Sequence, residues 1–164
     1  MSQSPTPLET EHGSALPSAR QFSVFLDNKV GKLYELLEVF EEHPQVQVCA
    51  LSVLDASDHA VIRIIPNNSN LARALLRERG LAFAEMDLLI VEVASAHSLT
   101  RLCLYLLGAE LSIHFAYPLM LTAGGGCPVI AMAVDDQLLA GQILRAKNFR
   151  LLGEADLPGP YKGT

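Results

Sequence analysis

The residues best placed to do chemistry lie in Asp27-Asn28-Lys29-Val30-Gly31-Lys32, a short polar turn between an apolar strand and an amphipathic helix. Gly31 lets the backbone bend sharply there, and the first N–H groups of any helix have no partner within it. Those N–H groups suit a carboxylate, while Asp27 and the side-chain carbonyl of Asn28 can accept from an ammonium. An amino acid presents both charges together. The plain alternative is a tight connection in which Asp27 caps the helix.

No other set of reactive side chains competes with this turn. His12, His43, His59, His97 and His114 fall in five separate elements or loops, without the spacing of a metal site. His97 alone sits where it could meet a carboxylate, because it occupies a second strand-to-helix turn. Cys49 has no histidine or basic neighbour in sequence to activate it and reads as buried apolar filler. Glu35, Glu38, Glu41 and Glu42 read as the solvated face of a helix rather than as catalytic carboxylates. Gly124-Gly125-Gly126 leads into a strand, so it reads as a hairpin turn and not as a phosphate loop, which would lead into a helix. With no nucleophile, base and orienter in view, no catalytic residue, metal or cofactor is expected.

Composition narrows the classes further. The chain has 164 residues, of which half are apolar and 18% charged, enough for a core and a buried interface. A net charge of −6 and a pI near 5.3 argue against nucleic acid or an anionic membrane as the main partner. No apolar run reaches the roughly 20 residues that span a bilayer. Cys49, Cys103 and Cys127 are an odd, scattered set that suits a reducing cytoplasm. Residues 1–20, rich in Ser, Pro, Thr and Glu, read as a flexible tail.

The elements that must position the turn follow from periodicity. Phe22, Val24 and Leu26 alternate with Ser23 and Phe25 as a strand with one buried face. Leu33, Leu36, Leu37 and Phe40 recur at helical spacing, and Pro44 stops the helix near residue 43. Strands over 46–54 and 60–64 flank a hairpin turn at 55–58, a helix capped near Asn70 ends at Gly80, and a short strand covers 81–86. The order βαββαβ then repeats: strand 88–94, helix 99–108, strand 111–121, strand 127–134, a helix capped by Asp135 or Asp136 and reaching about Lys147, and a last short strand over 149–153. Two copies of one element order predict an α+β fold of two tandem ferredoxin-like units, each a four-stranded antiparallel sheet with two helices on one face. The opposite sheet face needs a cover. Helix 99–107 is apolar nearly all round, and strands 88–91 and 129–132 are apolar on both faces, so the units are expected to pack on each other or on a second copy, and a homodimer is expected.

These elements, with Asn28, Gly31 and Leu33 at the first turn, resemble the ACT domain, a small regulatory module that binds amino acids and whose turn reads roughly Asn-x-Pro-Gly-x-Leu. The likeness extends through Ala50-Leu51-Ser52-Val53, the hairpin 55–58 and Ile62-Arg63-Ile64. Leu89-Ile90-Val91-Glu92-Val93 and Leu151-Leu152-Gly153-Glu154 are similar to parts of stand-alone tandem ACT proteins. The resemblance implies a first ACT-like domain over 21–87, a second over 88–157 and a C-terminal tail over 158–164. It implies that the turn binds the polar head of an effector and that the start of the second strand of a neighbouring unit completes the site. By position this implicates Asn28, Val30, Gly31 and Lys32, with Gln47 and Val48, and Asp27 joins them as the acceptor for an ammonium. Val30 replaces the family's proline and Gln47 replaces its frequent asparagine. The second turn, Ala94-Ser95-Ala96-His97-Ser98-Leu99, is shorter and lacks the glycine, so its site is expected to be degenerate. The implied function is non-enzymatic regulation by an amino acid or similar metabolite; the alternative is a detached regulatory or interaction subunit of an amino-acid-metabolism enzyme without its own ligand.

Overall fold

The computed structural model describes residues 16–122, with the backbone alone of Thr122, and residues 126–158. The tail before residue 16, Gly124 and Gly125 of the glycine run, and the end from residue 159 lie outside the described residues. The alternating stretch around Phe22 forms β1 (Ala19–Asp27), and the helical stretch after Gly31 forms α1 (Lys32–Glu41). There follow β2 (Val48–Asp55), β3 (His59–Pro66), α2 (Ser69–Glu78), β4 (Ala82–Glu92) and α3 (Leu99–Gly108). The chain continues through β5 (Ile113–Thr122), β6 (Pro128–Val134), α4 (Gln137–Ala146), β7 (Leu151–Leu152) and a 3-10 turn, Glu154–Asp156.

All seven strands belong to one antiparallel sheet, ordered β2-β3-β1-β4-β6-β5, with β7 also on β4. The order contains two βαββαβ units that share β4. Residues 82–88 of β4 pair with β1, and residues 89–92 pair with β6 and β7. The separate strands read at 81–86 and 88–94 are therefore one. Asp87 is a residue type common in turns, but here it is held across the sheet by Arg20, Nε to Oδ1 at 2.7 Å. The boundary between residues 87 and 88 falls inside this strand.

Three apolar layers follow from the strand alternation. Phe22, Val24, Ile62 and Ile64 pack under Leu36 and Phe40 of α1 and Ala72 and Leu76 of α2. Leu89, Val91, Ile130 and Met132 pack under Leu102 and Leu106 of α3 and Ala140 and Leu144 of α4. Between the units, Cys49, Ala50 and Ile65 meet Leu88, Ile90, Tyr117, Leu119, Val129 and Ala131. The units thus cover each other's helix-free sheet faces, and β2 comes alongside β5 to close the curve. Pro118 is tolerated because β5 is an edge strand with an irregular register at that point.

The cover comes from sheet and not from α3, which corrects the expectation drawn from its apolar sequence. Only Leu102 and Leu106 of α3 are buried, whereas Leu104 and Leu107 are 60% and 70% exposed. Polar ties reinforce the interface. The Tyr117 hydroxyl donates to Gln21 Oε1 at 2.6 Å, and the Arg63 guanidinium lies 3.9 Å above the Phe115 ring. Glu154 of the second unit accepts from the Ser69 N–H at the start of α2, and Leu16 fills the notch left by Gly141 of α4, where a Cβ would collide with it.

Burial pushes the Cys49 thiol up to about 11 and raises the Tyr117 phenol above its ordinary 10.0. Both groups stay neutral in the folded chain and would ionise earlier once exposed, so the stability they carry is full below about pH 9 and falls as pH rises through their folded values. Tyr117→Phe leaves the 2%-exposed Gln21 carbonyl without its donor and is expected to cost about 1–3 kcal/mol in urea unfolding at neutral pH. It should also flatten the alkaline loss of stability above about pH 10; an unchanged urea midpoint would contradict the role given to this hydrogen bond.

Candidate effector site at the first strand-to-helix turn

The turn expected to carry the site is built as its sequence implies. Lys29 N–H donates back to the Asp27 carbonyl at 2.8 Å, and Gly31 takes φ 89° and ψ −12°, a left-handed conformation costly to any residue with a Cβ. The chain therefore enters α1 with Gly31 at the N-cap and no side chain capping the helix. The amides of Val30, Gly31, Leu33 and Tyr34 make no hydrogen bond among the described residues. The other helices are capped: Asn68 accepts from Leu71 N–H at 3.1 Å, Ser98 from Arg101 N–H at 3.3 Å, and Asp136 from Leu139 N–H at 2.9 Å. Among the described α-helices only α1 keeps its start, with its partial positive charge, free of a capping side chain.

The flanking side chains are set by local contacts. Asn28 Nδ2 donates to Asp55 Oδ1 of the β2–β3 hairpin at 2.8 Å, which orients the amide and leaves Asn28 Oδ1 free as an acceptor. Lys29 Nζ lies 3.8 Å from Asp27. Lys32 Nζ donates to Glu35 at 2.9 Å, and that hydrogen bond raises the Lys32 pKa. Val30 and Tyr34 project fully or largely into solvent. An acceptor, open N–H donors and an apolar rim share one surface with no second wall.

Gln47 and Val48 are not part of that surface. They lie at the other end of α1, whose ten residues span about 15 Å. Gln47 is fixed there by its backbone, with its N–H donating to Asn67 Oδ1 at 2.7 Å and its carbonyl accepting from Asn67 N–H at 3.0 Å. Beside it, past the end of α1 at Glu41, is a cavity of about 520 Å³ lined by Phe40, His43 and Gln47 among others. A smaller cavity of about 210 Å³ lies against the first half of α1, lined by Lys32, Glu35 and Val39 together with Leu26, Arg79 and Leu81. Glu41 stays exposed, as its place on the acidic face of the helix implies, and the partly buried His43 joins it at the larger cavity. No local pattern marks them, because the α1–β2 connection gathers them only after folding. Among the described residues no group of three or more His, Cys, Asp and Glu could hold a metal.

The second turn is closed. Ala94 and His97 exchange backbone hydrogen bonds at 3.2 and 3.0 Å, Ser98 occupies the helix start, and the His97 ring packs edge-on against Phe149 with centroids 5.0 Å apart. The histidine that could have met a carboxylate is used in packing.

The model of the ACT domain pair family matches residues 18–158. The chain belongs to that family. ACT domains are regulatory modules. Among solved structures, protein BT0572 from Bacteroides thetaiotaomicron is similar over 85% of this chain and 94% of its own, at 22% identity and a TM-score of 0.75. The ligand-free regulatory subunit of aspartate kinase from Thermus thermophilus is similar over 80% of this chain and 93% of its own, at 9% identity and a TM-score of 0.52. At these identities the likeness is one of fold. No curated protein matches the chain.

In this ACT pair, a Cβ added at Gly31 meets nothing within 4 Å, so only the φ of 89° opposes it. Gly31→Ala is therefore expected to cost about 1–2 kcal/mol in urea unfolding with an unchanged m-value. A collapse of the fold would show that the turn is part of the core and not an open surface.

Proposed function

We propose that this ACT domain pair is a non-enzymatic sensor of an amino acid or a similar small metabolite. Asp27, Asn28, Val30, Gly31 and Lys32 of one chain hold the effector's polar head, and Gln47 and Val48 of a second chain complete the site, so that the working unit is a homodimer in a reducing cytoplasm. The observation that carries this reading is the uncapped start of α1 beside three helices that are all side-chain capped. A carboxylate would satisfy its N–H groups, and Asn28 Oδ1 with Asp27 would receive the ammonium. The distance between the turn and Gln47 within one chain is why a second copy is needed. Effector binding would favour one arrangement of the copies by its differential affinity for them.

A thermal-shift panel of the twenty amino acids tests this. One of them, or a small related group, is expected to stabilise the protein, by about 2.7 kcal/mol at a hundred times its Kd, and Gly31→Ala should abolish the stabilisation. No shift with any of them at millimolar concentration would contradict the proposal.

The exposed Leu99, Leu104 and Leu107 of α3 favour a second reading, a regulatory subunit docked on an enzyme of amino-acid metabolism without its own ligand. That reading requires an empty amino-acid panel together with co-purification of such an enzyme that Leu104→Ser and Leu107→Ser together abolish.

A further inference from the structure

The ends of α3 carry charge where the helix's own dipole opposes it. Arg101 lies in the first turn and Glu110 just beyond the C-cap Ala109, both exposed. Among the described residues neither side chain makes an ion pair. A helix start carries partial positive charge and a helix end partial negative charge, so each of the two stands at the end that disfavours it. Glu110 also has φ 57°, a left-handed backbone that a side chain resists. The ends of α2 and α4 close with the same hydrogen bonds, but with Gly80 at φ 66° and Asn148 at φ 64°, the residue types this conformation ordinarily selects. Those helices place Arg77 and Arg145 in their last turns, whereas α3 has no basic residue there.

Between these two charges the outward side of α3 has none. Thr100, Leu104, Leu107 and Gly108 are exposed at helical spacing, opposite the buried Leu102 and Leu106. On α1 and α2 the exposed Glu35, Glu38 and Arg79 are met within the chain, by Lys32, Tyr34 and Glu42. Nothing among the described residues meets Arg101 or Glu110 in that way.

A second α3 supplies what is missing. Reversed about its midpoint between Tyr105 and Leu106, the helix sets Leu104 against Leu107 of the second copy and Arg101 against Glu110 of the second copy, because both pairs share that midpoint. Helices packed in this way lie about 8–10 Å apart, a gap that an arginine side chain bridges. Arg101 then stands at the end of the other helix and Glu110 at its start, where the dipole favours each. The surface is complementary to itself, as a two-fold contact requires. We propose that α3 is the seam of a homodimer, packed antiparallel on α3 of a second copy. The seam uses no residue of the proposed effector site, so it forms without an amino acid and Gly31→Ala leaves it unchanged.

Analytical ultracentrifugation of the full chain without ligand tests this. A dimer in the micromolar range is expected, and Leu104→Ser with Leu107→Ser should leave a monomer with an unchanged far-ultraviolet dichroism spectrum. Arg101→Glu and Glu110→Arg should each weaken the dimer about tenfold or more, since each turns two ion pairs into two like-charge contacts. Mixing those two single variants should restore it, because every contact across the mixed dimer is again Glu with Arg; so should both exchanges in one chain. A contact within one chain, or a partner of another sequence, gives no rescue on mixing. A monomer throughout the micromolar range, a dimer that survives the two serines, reversals without effect, or no rescue on mixing would overturn the inference. So would an enzyme that co-purifies with the parent in place of a second copy and is lost with the two serines.

Discussion

The interior faces of two units must be hidden from water at once, and β4 is where that constraint is met. Its C-terminal half alternates between layers, with Leu88 and Ile90 in the core between the units and Leu89 and Val91 under α3 and α4. A slip of one residue would exchange the two sets, so the register that joins the units also fixes both cores. With β4 common to both units, all four helices lie outside the curved sheet and the helix-free faces lie inside it. Little of either sheet face remains for a ligand. The open ground is at the ends of helices and the connections between elements.

At those ends the chain treats its helices unequally. Asn68, Ser98 and Asp136 satisfy the starts of α2, α3 and α4 from within. At α1 the left-handed Gly31 takes the place of a capping side chain, and the contact between Asn28 and Asp55 fixes the turn from the side. At the far end of the same helix a cavity opens between α1 and β2, lined by Glu41, His43 and Gln47 among others.

Much of this was legible in the sequence, for local reasons. The alternation of Phe22, Val24 and Leu26, the helical spacing of Leu33, Leu36 and Phe40, and the repetition of the element order identify both units, because each signal is carried by neighbours in the chain. The meaning of Gly31 was legible too, since few other residues adopt its φ. What depended on distant partners was not. The join at Asp87 reads as a break between strands until Arg20 is seen beside it, and the apolar α3 reads as a cover until Tyr117 and Leu119 of β5 are found in that role. The engagement of Leu16 with Gly141 has no local mark in either stretch. The place of His43 beside a cavity has no local mark, because its neighbours in space come from the start of β2.

The central claim is that the open amides of α1 receive the head of an amino acid. It is tested most directly by following backbone amide resonances during titration of the uniformly labelled protein with the amino acid that stabilises it. The amides of Val30, Gly31, Leu33 and Tyr34 are expected to shift first and furthest, together with the Gln47 side chain. Saturable binding that leaves those four amides unmoved would contradict the claim.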